Sequence, residues 1–568
     1  MKVYKNYPTE AFENLKQLYL ASVEKYSDRV LFKQKSDNGY EEFTYRRYGA
    51  DVEALGTALC ARGLSGKQII VIGENCYAWV TSYLSVICGV GVVVPVDKEI
   101  PAEELADIAK TAEAAAIIYS PACAEKLALL DEQILPISFA EIPDLIASGN
   151  ERIIAGDRTY LDAEIDSNVM SALIFTSGTS GQRKGVMLSH RNLCFNLSEM
   201  CRMIYFDRED TFLSVLPLHH VYETSCGFLC PMYRGATVVL VGSLRQIMKN
   251  MQETHPTVLL CVPLLIETIH KKIWESIRRL GQEKNTVNAI RLTNALPTES
   301  ARFAAKRKLL SRIHQSFGGK LRMVISGGAP ADPETLRGMR DFGIHAYQAY
   351  AMTECAPLAA INRDRAFNDA SAGMAPPNTL LDIYDVQNDG IGEIRYKGDN
   401  VMLGYYKNSE KTAKVIRNGW FYTGDLGYLD EDGFLYITGR KKNVIVTADG
   451  KSVFPEELEV LLSKSSFVKE TMVTGYLNPS RNDYDIIAII HPDYAKIEKK
   501  YGKNFAQSQL DLEMKKAISS ANGNIPPHKR LRTYVIRPTE FPKNFSKKIK
   551  RTGIAEEAYN DYRAKIKS

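Results

Sequence analysis

The run Phe175-Thr176-Ser177-Gly178-Thr179-Ser180-Gly181-Gln182-Arg183-Lys184-Gly185 gathers four hydroxyls, three glycines and two cations within eleven residues. Small residues let backbone amides approach an anion closely, and hydroxyls and cations add further donors. A charge-assisted hydrogen bond contributes roughly 1.5–3 kcal/mol, so several together hold a polyphosphate. No Gly-Lys-Ser/Thr triplet occurs at the Walker spacing, so this is a different kind of phosphate loop. The same composition also suits a flexible Gly/Ser turn between two strands.

Further groups capable of chemistry follow along the chain, and each also has an ordinary structural reading. Thr353-Glu354 offers a hydroxyl and a carboxylate, or a helix start. Tyr350 offers a flat ring, although an isolated tyrosine usually belongs to a core or an interface. Asp425 is an acceptor-only carboxylate or a turn aspartate after Gly424, and Arg440 is an anion donor or one half of a surface ion pair. His219 and His220 are adjacent imidazoles, satisfied structurally or placed at a site. Lys548 lies in a basic tail with Lys543, Lys547, Lys550 and Arg551, a solvated face or a site for phosphorylated ligands.

Taken in order, these segments resemble the motifs of the acyl-adenylate-forming superfamily, from about residue 30 to the C-terminus. The matching segments are the 176–185 loop, Leu216-Pro217-Leu218-His219-His220-Val221-Tyr222-Glu223, Ser326-Gly327-Gly328-Ala329-Pro330, Tyr350-Ala351-Met352-Thr353-Glu354, Tyr422-Thr423-Gly424-Asp425, Gly439-Arg440-Lys441-Lys442 and Pro542-Lys543-Asn544-Phe545-Ser546-Lys547-Lys548. The 216–223 segment and Gly450-Lys451-Ser452-Val453-Phe454-Pro455-Glu456-Glu457 look most like long-chain fatty acyl-CoA synthetases.

The resemblance implies a reaction in which a carboxylate attacks the α-phosphate of ATP, pyrophosphate leaves, and a thiol displaces AMP. Both reactants of the first step are anions, so the site must offset their repulsion with positioned cations and a metal. By the same resemblance Lys184 reaches the β- and γ-phosphates, with Thr176, Ser177, Gly178, Thr179, Ser180 and Gly181 around them. Thr353 touches the α-phosphate, and Glu354, with Thr176, holds Mg²⁺, a hard ion suited to oxygen ligands. Gly327, Gly328, Ala329, Gln348 and Tyr350 form the adenine site, Asp425 takes the ribose hydroxyls, and Arg440 supports ribose or phosphate. Lys548 bridges the attacking carboxylate and the α-phosphate, Lys442 is the hinge between the half-reactions, and His220 gates the acyl carboxylate. The chain departs from the pattern at Arg183, where proline is usual, at Ala349 and Ala351 in place of glycines, at Asn544 and at Lys547. These bear on loop geometry and on the rate set by Lys548.

Such residues need a scaffold, and 568 residues are too many for one core. Helical and β-branched segments alternate: a helix near 51–62, a strand over 68–72, a helix over 101–112 and strands over 116–119 and 171–175. That pattern predicts an α/β fold, with stacked layers and mostly parallel sheets in a large N-terminal domain over 1–439. From about Gly390 short strands and turn signals predominate, and a smaller, mobile α+β domain is expected over 440–568. Residues 75–96 carry no charge, yet Ser82, Ser85, Gly89, Gly91 and Pro95 make them a buried helix entering a buried strand in place of a membrane span. Gly89-Val90-Gly91 lacks the third glycine of a dinucleotide fingerprint.

The net charge of +5 is small for this length and argues against a nucleic-acid partner. Ten cysteines without a CxxC pair, and an N-terminus without an apolar signal core, point to free thiols in a reducing cytoplasm. Expected ligands are ATP, Mg²⁺, a carboxylic acid and CoA, and peripheral membrane contact is compatible with this composition. A separate acyl carrier protein is the alternative thiol donor, and a nucleotide-binding homologue with reduced catalysis is the non-enzymatic alternative. The apolar stretches at 221–229 and 258–263 suit either an aliphatic pocket or a buried parallel strand.

Overall fold

The computed structural model describes residues 4–176, 183–242, 247–364, 366–448, 451–478, 480–523, 525–543, 549–551 and 553–567. Two large sheets dominate. In the first, the order is Gly404–Tyr405, Lys184–Ser189, Met170–Thr176, Val92–Val96, Gln68–Ile72, Ala114–Tyr119 and Leu135–Ser138. The last five of these strands run parallel, and the first two are antiparallel additions. The second sheet runs Leu358–Ile361, His345–Ala351, Met323–Ser326, Val258–Cys261, Thr211–Ser214, Thr237–Leu240, Val30–Ser36 and Gly39–Thr44, antiparallel only at its two edges. Helices between the sheets join both to a single apolar core, in which Tyr48, Val52, Leu55, Trp79 and Phe228 are almost wholly buried.

The uncharged stretch over 75–96 becomes the helix Tyr77–Ser85, a wide turn Val86–Val90 and the strand Val92–Val96. It is buried without penalty because Thr81, Ser82 and Ser85 donate their hydroxyls to the carbonyls of Tyr77, Ala78 and Val52. A Cβ on Gly91 would meet the Lys67 carbonyl at 2.2 Å, so only glycine lets that backbone approach. No helix among the described residues is long and apolar enough to cross a membrane. The helix expected from residue 51 starts earlier, spanning Tyr45–Ala61, because the Thr44 hydroxyl caps it by accepting from the Arg47 amide.

A third, antiparallel sheet contains Leu380–Tyr384, Gly392–Lys397, Trp420–Leu429, Ile416–Arg417 and Leu435–Arg440. The change of texture near Gly390 therefore marks this sheet, which packs Ile394 and Leu435 against Ala360 and Ala372 of the preceding region. A separate C-terminal domain follows, with its own core of Leu458, Leu462, Ile486, Ile490, Leu510 and Met514. Its three-stranded sheet, Val468–Asn478, Asp483–Pro492 and Thr533–Ile536, carries the helices Pro455–Ser463 and Gln507–Asn522. All ten cysteines are free, eight of them buried.

Candidate active site

The glycine- and hydroxyl-rich loop joins two antiparallel strands, Met170–Thr176 and Lys184–Ser189, whose register pairs Thr176 with Lys184. Thr176 and Lys184 thus stand together at the strand ends, while Ser177, Gly178, Thr179, Ser180 and Gly181 lie outside the described residues. The segment therefore connects two adjacent antiparallel strands. Arg183 directs its guanidinium to Glu104, at the first turn of the helix Ala102–Ala112, with Nε 2.9 Å from Oε2. The side chain standing where the family has proline thereby ties the loop to a helix N-terminus.

Lys184 Nζ sits 4.7 Å from the ring centroid of Tyr405, within cation–π range. The Tyr405 hydroxyl donates to Glu354 Oε1 at 2.9 Å. Tyr405 is itself held by the strand Gly404–Tyr405, which pairs with Val186 and Met187, and the Met402 amide donates to the Glu354 carbonyl. Glu354 lies in the short turn Thr353–Cys355 after the strand His345–Ala351. One phenol therefore links the loop lysine on the first sheet to the Thr353-Glu354 carboxylate on the second. Burial and the neighbouring Glu354 raise the Tyr405 phenol, with Arg440 opposing, so it remains a hydrogen-bond donor at neutral pH. Tyr405 was not singled out from sequence, because nothing in the Gly404-Tyr405-Tyr406 run distinguishes it from a core aromatic.

A second cluster adjoins the first. Tyr350 donates to Asp425 Oδ2 at 2.5 Å, and Arg440 Nε lies 2.6 Å from Asp425 Oδ1. Asp425 and Arg440 face each other across adjacent strands of the third sheet, and the Thr423 hydroxyl accepts from the Asp425 amide. A carboxylate offers about four acceptor sites, and Tyr350 and Arg440 each engage one oxygen of Asp425. The 326–330 turn lies alongside, with Gly328, Ala329 and Pro330 exposed and Gly327 buried. A Cβ on Gly327 would meet the Tyr222 ring at 3.0 Å, and Gly328 has φ +85°. Gln348 is committed within the protein, accepting from the Ala331 amide at 2.5 Å and donating to the Ser371 carbonyl at 3.0 Å. Those two bonds brace the 326–330 turn against the strand His345–Ala351.

The rings of His220 and His219 lie 4.1 Å apart, tilted by 46°, on the turn before the wide helix Glu223–Leu229. Burial, and then the neighbouring His220, hold His219 well below the usual imidazole range. Its 3.8 Å approach to Asp97 is therefore not an ion pair at neutral pH. Ser225 donates to the Ala356 carbonyl at 3.3 Å, so the helix that follows His220 docks on the Thr353–Cys355 turn. Glu223 is fully buried, and burial pushes its carboxyl up to about 8.

Lys442 occupies the turn Lys441–Asn443 between the third sheet and the C-terminal domain. Burial lowers its ammonium, and the like charges of Arg440, Arg551 and Lys184 lower it further. Lys441 donates to Glu393 at 2.8 Å on the large-domain side, and Asn443 donates to Glu456 at 2.6 Å on the other. Lys548 lies outside the described residues; beside that segment, Lys543 bridges Ile549 and Arg551 donates to both oxygens of Glu459 at 2.6 Å.

Comparison with known proteins agrees with this arrangement. Residues 20–406 match the AMP-binding enzyme family and residues 442–568 match the AMP-binding enzyme C-terminal domain. The chain is 25% identical to a long-chain-fatty-acid–CoA ligase of Mycobacterium bovis, with 94% of each covered, and 26% identical to long-chain-fatty-acid–CoA ligase 1 of Homo sapiens, covering 85% and 75%. It is also 24% identical to a chloroplastic long-chain-fatty-acid–[acyl-carrier-protein] ligase of Arabidopsis thaliana, covering 90% and 81%. Among solved structures, the fold matches an anthranilate CoA ligase in complex with anthranoyl-AMP at TM-score 0.73 and 19% identity, covering 97% and 98%. It matches an ATP- and magnesium-bound o-succinylbenzoate CoA synthetase from Bacillus subtilis at TM-score 0.73 and 20% identity, covering 95% and 99%. With both domains matched in order and the motif side chains converging where the three sheets meet, the chain belongs to the AMP-binding enzyme family and is an acid–thiol ligase.

Proposed function

We propose that the protein converts a medium- or long-chain fatty acid to its acyl-adenylate with ATP, releasing pyrophosphate, and then transfers the acyl group to CoA. The observation that carries this reading is the junction of two clusters, Lys184–Tyr405–Glu354 and Tyr350–Asp425–Arg440. The first presents a cation and a carboxylate at the mouth of a phosphate loop. The second presents an aromatic face, ribose acceptors and a guanidinium.

ATP spans both in this reading. Lys184, with Thr176 and the 177–181 hydroxyls and amides, holds the β- and γ-phosphates, Thr353 touches the α-phosphate, and Asp425 accepts from the ribose. Glu354 fits Mg²⁺, since Tyr405 occupies only one of its acceptor sites and the side chain is only half-buried; Thr176 completes the oxygen set. When bound, the ion neutralises phosphate charge and orients the leaving pyrophosphate. Lys548 then stabilises negative charge where the carboxylate meets the α-phosphate, and His220 borders the acyl carboxylate. Rotation of the 440–568 domain about Lys442 withdraws Lys548 and admits the thiol.

A fatty acid as substrate is supported by the relatives from Mycobacterium bovis and Homo sapiens, and CoA as acceptor by the same names. The test is pyrophosphate release over a series of aliphatic and aryl acids, with CoA, with a phosphopantetheinylated carrier protein, and with neither. Thioester formation on CoA from aliphatic acids is the expected result. Thioester on the carrier protein alone, or turnover only of aryl acids, overturns the acceptor or the substrate class respectively.

A further inference from the structure

The strand Thr211–Ser214 leaves its sheet at Ser214, where its pairing with Leu240 ends. Beyond that point Val215, Leu216, Pro217 and Leu218 run on toward the His219-His220 pair with no described strand beside them. Backbone groups in such a segment must find partners elsewhere, and those partners decide where the following turn sits.

A side chain of the other large sheet supplies two of them. Asn75, just beyond the strand Gln68–Ile72, donates from Nδ2 to the Leu216 carbonyl at 2.8 Å and to Ser214 Oγ at 3.2 Å. Its Oδ1 accepts from the Leu218 amide at 3.1 Å. A carbonyl and the amide two residues on face the same edge of an extended chain, so the Asn75 amide stands where a neighbouring strand would be. Among side chains only Asn and Gln carry donor and acceptor side by side in this way, and the Leu218 N–H fixes which atom is the oxygen.

The residue is not there to cap a helix. Asn75 precedes the helix Tyr77–Ser85, but that helix is capped at Cys76 with no side-chain cap hydrogen bond. The amide is instead turned toward the second sheet, at the carboxyl ends of parallel strands, where α/β sheets bind ligands. Beyond the histidines the chain is held as well. The Thr224 amide donates to the His220 carbonyl at 3.0 Å, and the Tyr222 hydroxyl donates to the Ile325 carbonyl at 3.2 Å, next to the 326–330 turn. His220 is thus tied to the second sheet behind it, while Asn75 ties its approach to the first sheet, which carries Thr176 and Lys184.

From this geometry we infer that Asn75 is a positioning residue for activation of the acid. It holds the 214–218 segment, and with it His220, in a fixed relation to Thr176 and Lys184. The inference rests on the adenylation proposed above, in which His220 borders the acyl carboxylate. Asn75 acts through His220 and not on the reacting atoms, so its loss misplaces the acid and spares the nucleotide.

The test is ATP–pyrophosphate exchange by the full chain over a range of fatty-acid and ATP concentrations. Asn75→Asp keeps the shape but loses both donated hydrogen bonds. Asn75→Ser withdraws the amide without adding a charge, and carries the test if the aspartate variant does not fold. Each should raise KM for the acid about tenfold, in keeping with one or two lost hydrogen bonds, while KM for ATP stays at the wild-type value. In a His220→Ala background the same replacements should change neither constant further. A wild-type KM for the acid, an equal rise in KM for ATP, or effects that add to those of His220→Ala overturn the role of Asn75 alone. Absence of exchange by the unsubstituted chain with every acid overturns the proposed function, and this inference with it.

Discussion

Replacing Tyr405 by phenylalanine isolates the contact on which the phosphate half of the site turns. The ring remains beneath Lys184 Nζ at 4.7 Å, while the 2.9 Å hydrogen bond to Glu354 is lost. Tyr405 is 4% exposed, so water has little room to replace the missing hydroxyl in the variant. A hydrogen bond to a charged group contributes roughly 1.5–3 kcal/mol, which corresponds to a loss of about 10- to 150-fold where that orientation matters. In an ATP–pyrophosphate exchange assay, Tyr405→Phe should lower kcat/KM for ATP within that range and raise the Mg²⁺ concentration for half-maximal rate. Because the ring stays, the melting temperature should move by no more than a few degrees. Tyr405→Ala would also remove the cation–π contact, costing roughly 0.5–2 kcal/mol more, and would open a cavity. Phenylalanine indistinguishable from tyrosine in rate and in Mg²⁺ dependence would refute the idea that this phenol sets the position of Glu354.

Arg183 and Glu104 should behave as one unit: Arg183→Gln and Glu104→Gln each raise KM for ATP several-fold, and the double variant is no worse than either, a coupling of about 1 kcal/mol read from a double-mutant cycle. Lys548→Ala should abolish pyrophosphate release yet spare thioester formation from pre-made acyl-adenylate; equal loss of both half-reactions would remove that lysine from its assigned step. Burial holds His190, His314 and His345 at about 4, each below its unfolded range near 6.5. Between those values the unfolded chain binds more protons, so folding stability rises with pH through that window and falls on acidification from about 6.5 towards 4, by up to about 1.4 kcal/mol per pH unit per group. Denaturant titrations at several pH values measure the slope, and His190, whose Nδ1 accepts from the Leu15 amide, should contribute to it; a flat profile would contradict the neutral imidazoles.

The alternation of β-branched runs with helical periods was enough to place the strand Gln68–Ile72 and the helix Ala102–Ala112, since both are read from local pattern alone. The motif residues were equally legible as types. Their pairings were not. Glu104 and Arg183 are 79 residues apart, Tyr350 and Asp425 are 75 apart, and Glu354 and Tyr405 are 51 apart. Such contacts follow from sheet order and register, which periodicity does not encode. Gln348 shows what a motif leaves unsaid, because its amide accepts from Ala331 and donates to Ser371, partners supplied only by the tertiary fold. The change of texture near Gly390 was real, yet short antiparallel strands look alike whether they begin a new domain or, as here, add a sheet to the old one.

The depression of the Lys442 ammonium by burial and by the like charges of Arg440, Arg551 and Lys184 has a consequence for the order of events. Cations of the large domain, the connecting turn and the C-terminal domain thus crowd together, with Asp425 pairing Arg440 and Glu459 pairing Arg551, and Lys442 bears the residual repulsion. On the proposed function a triphosphate would relieve that repulsion, which would make its affinity and the preferred orientation of the two domains thermodynamically a single equilibrium. In that reading the nucleotide would act as electrostatic glue, and its departure as AMP and pyrophosphate would weaken the joint it had strengthened. Inorganic polyanions that perform no chemistry should then raise the melting temperature of the unliganded chain, and Lys442→Gln should blunt that response.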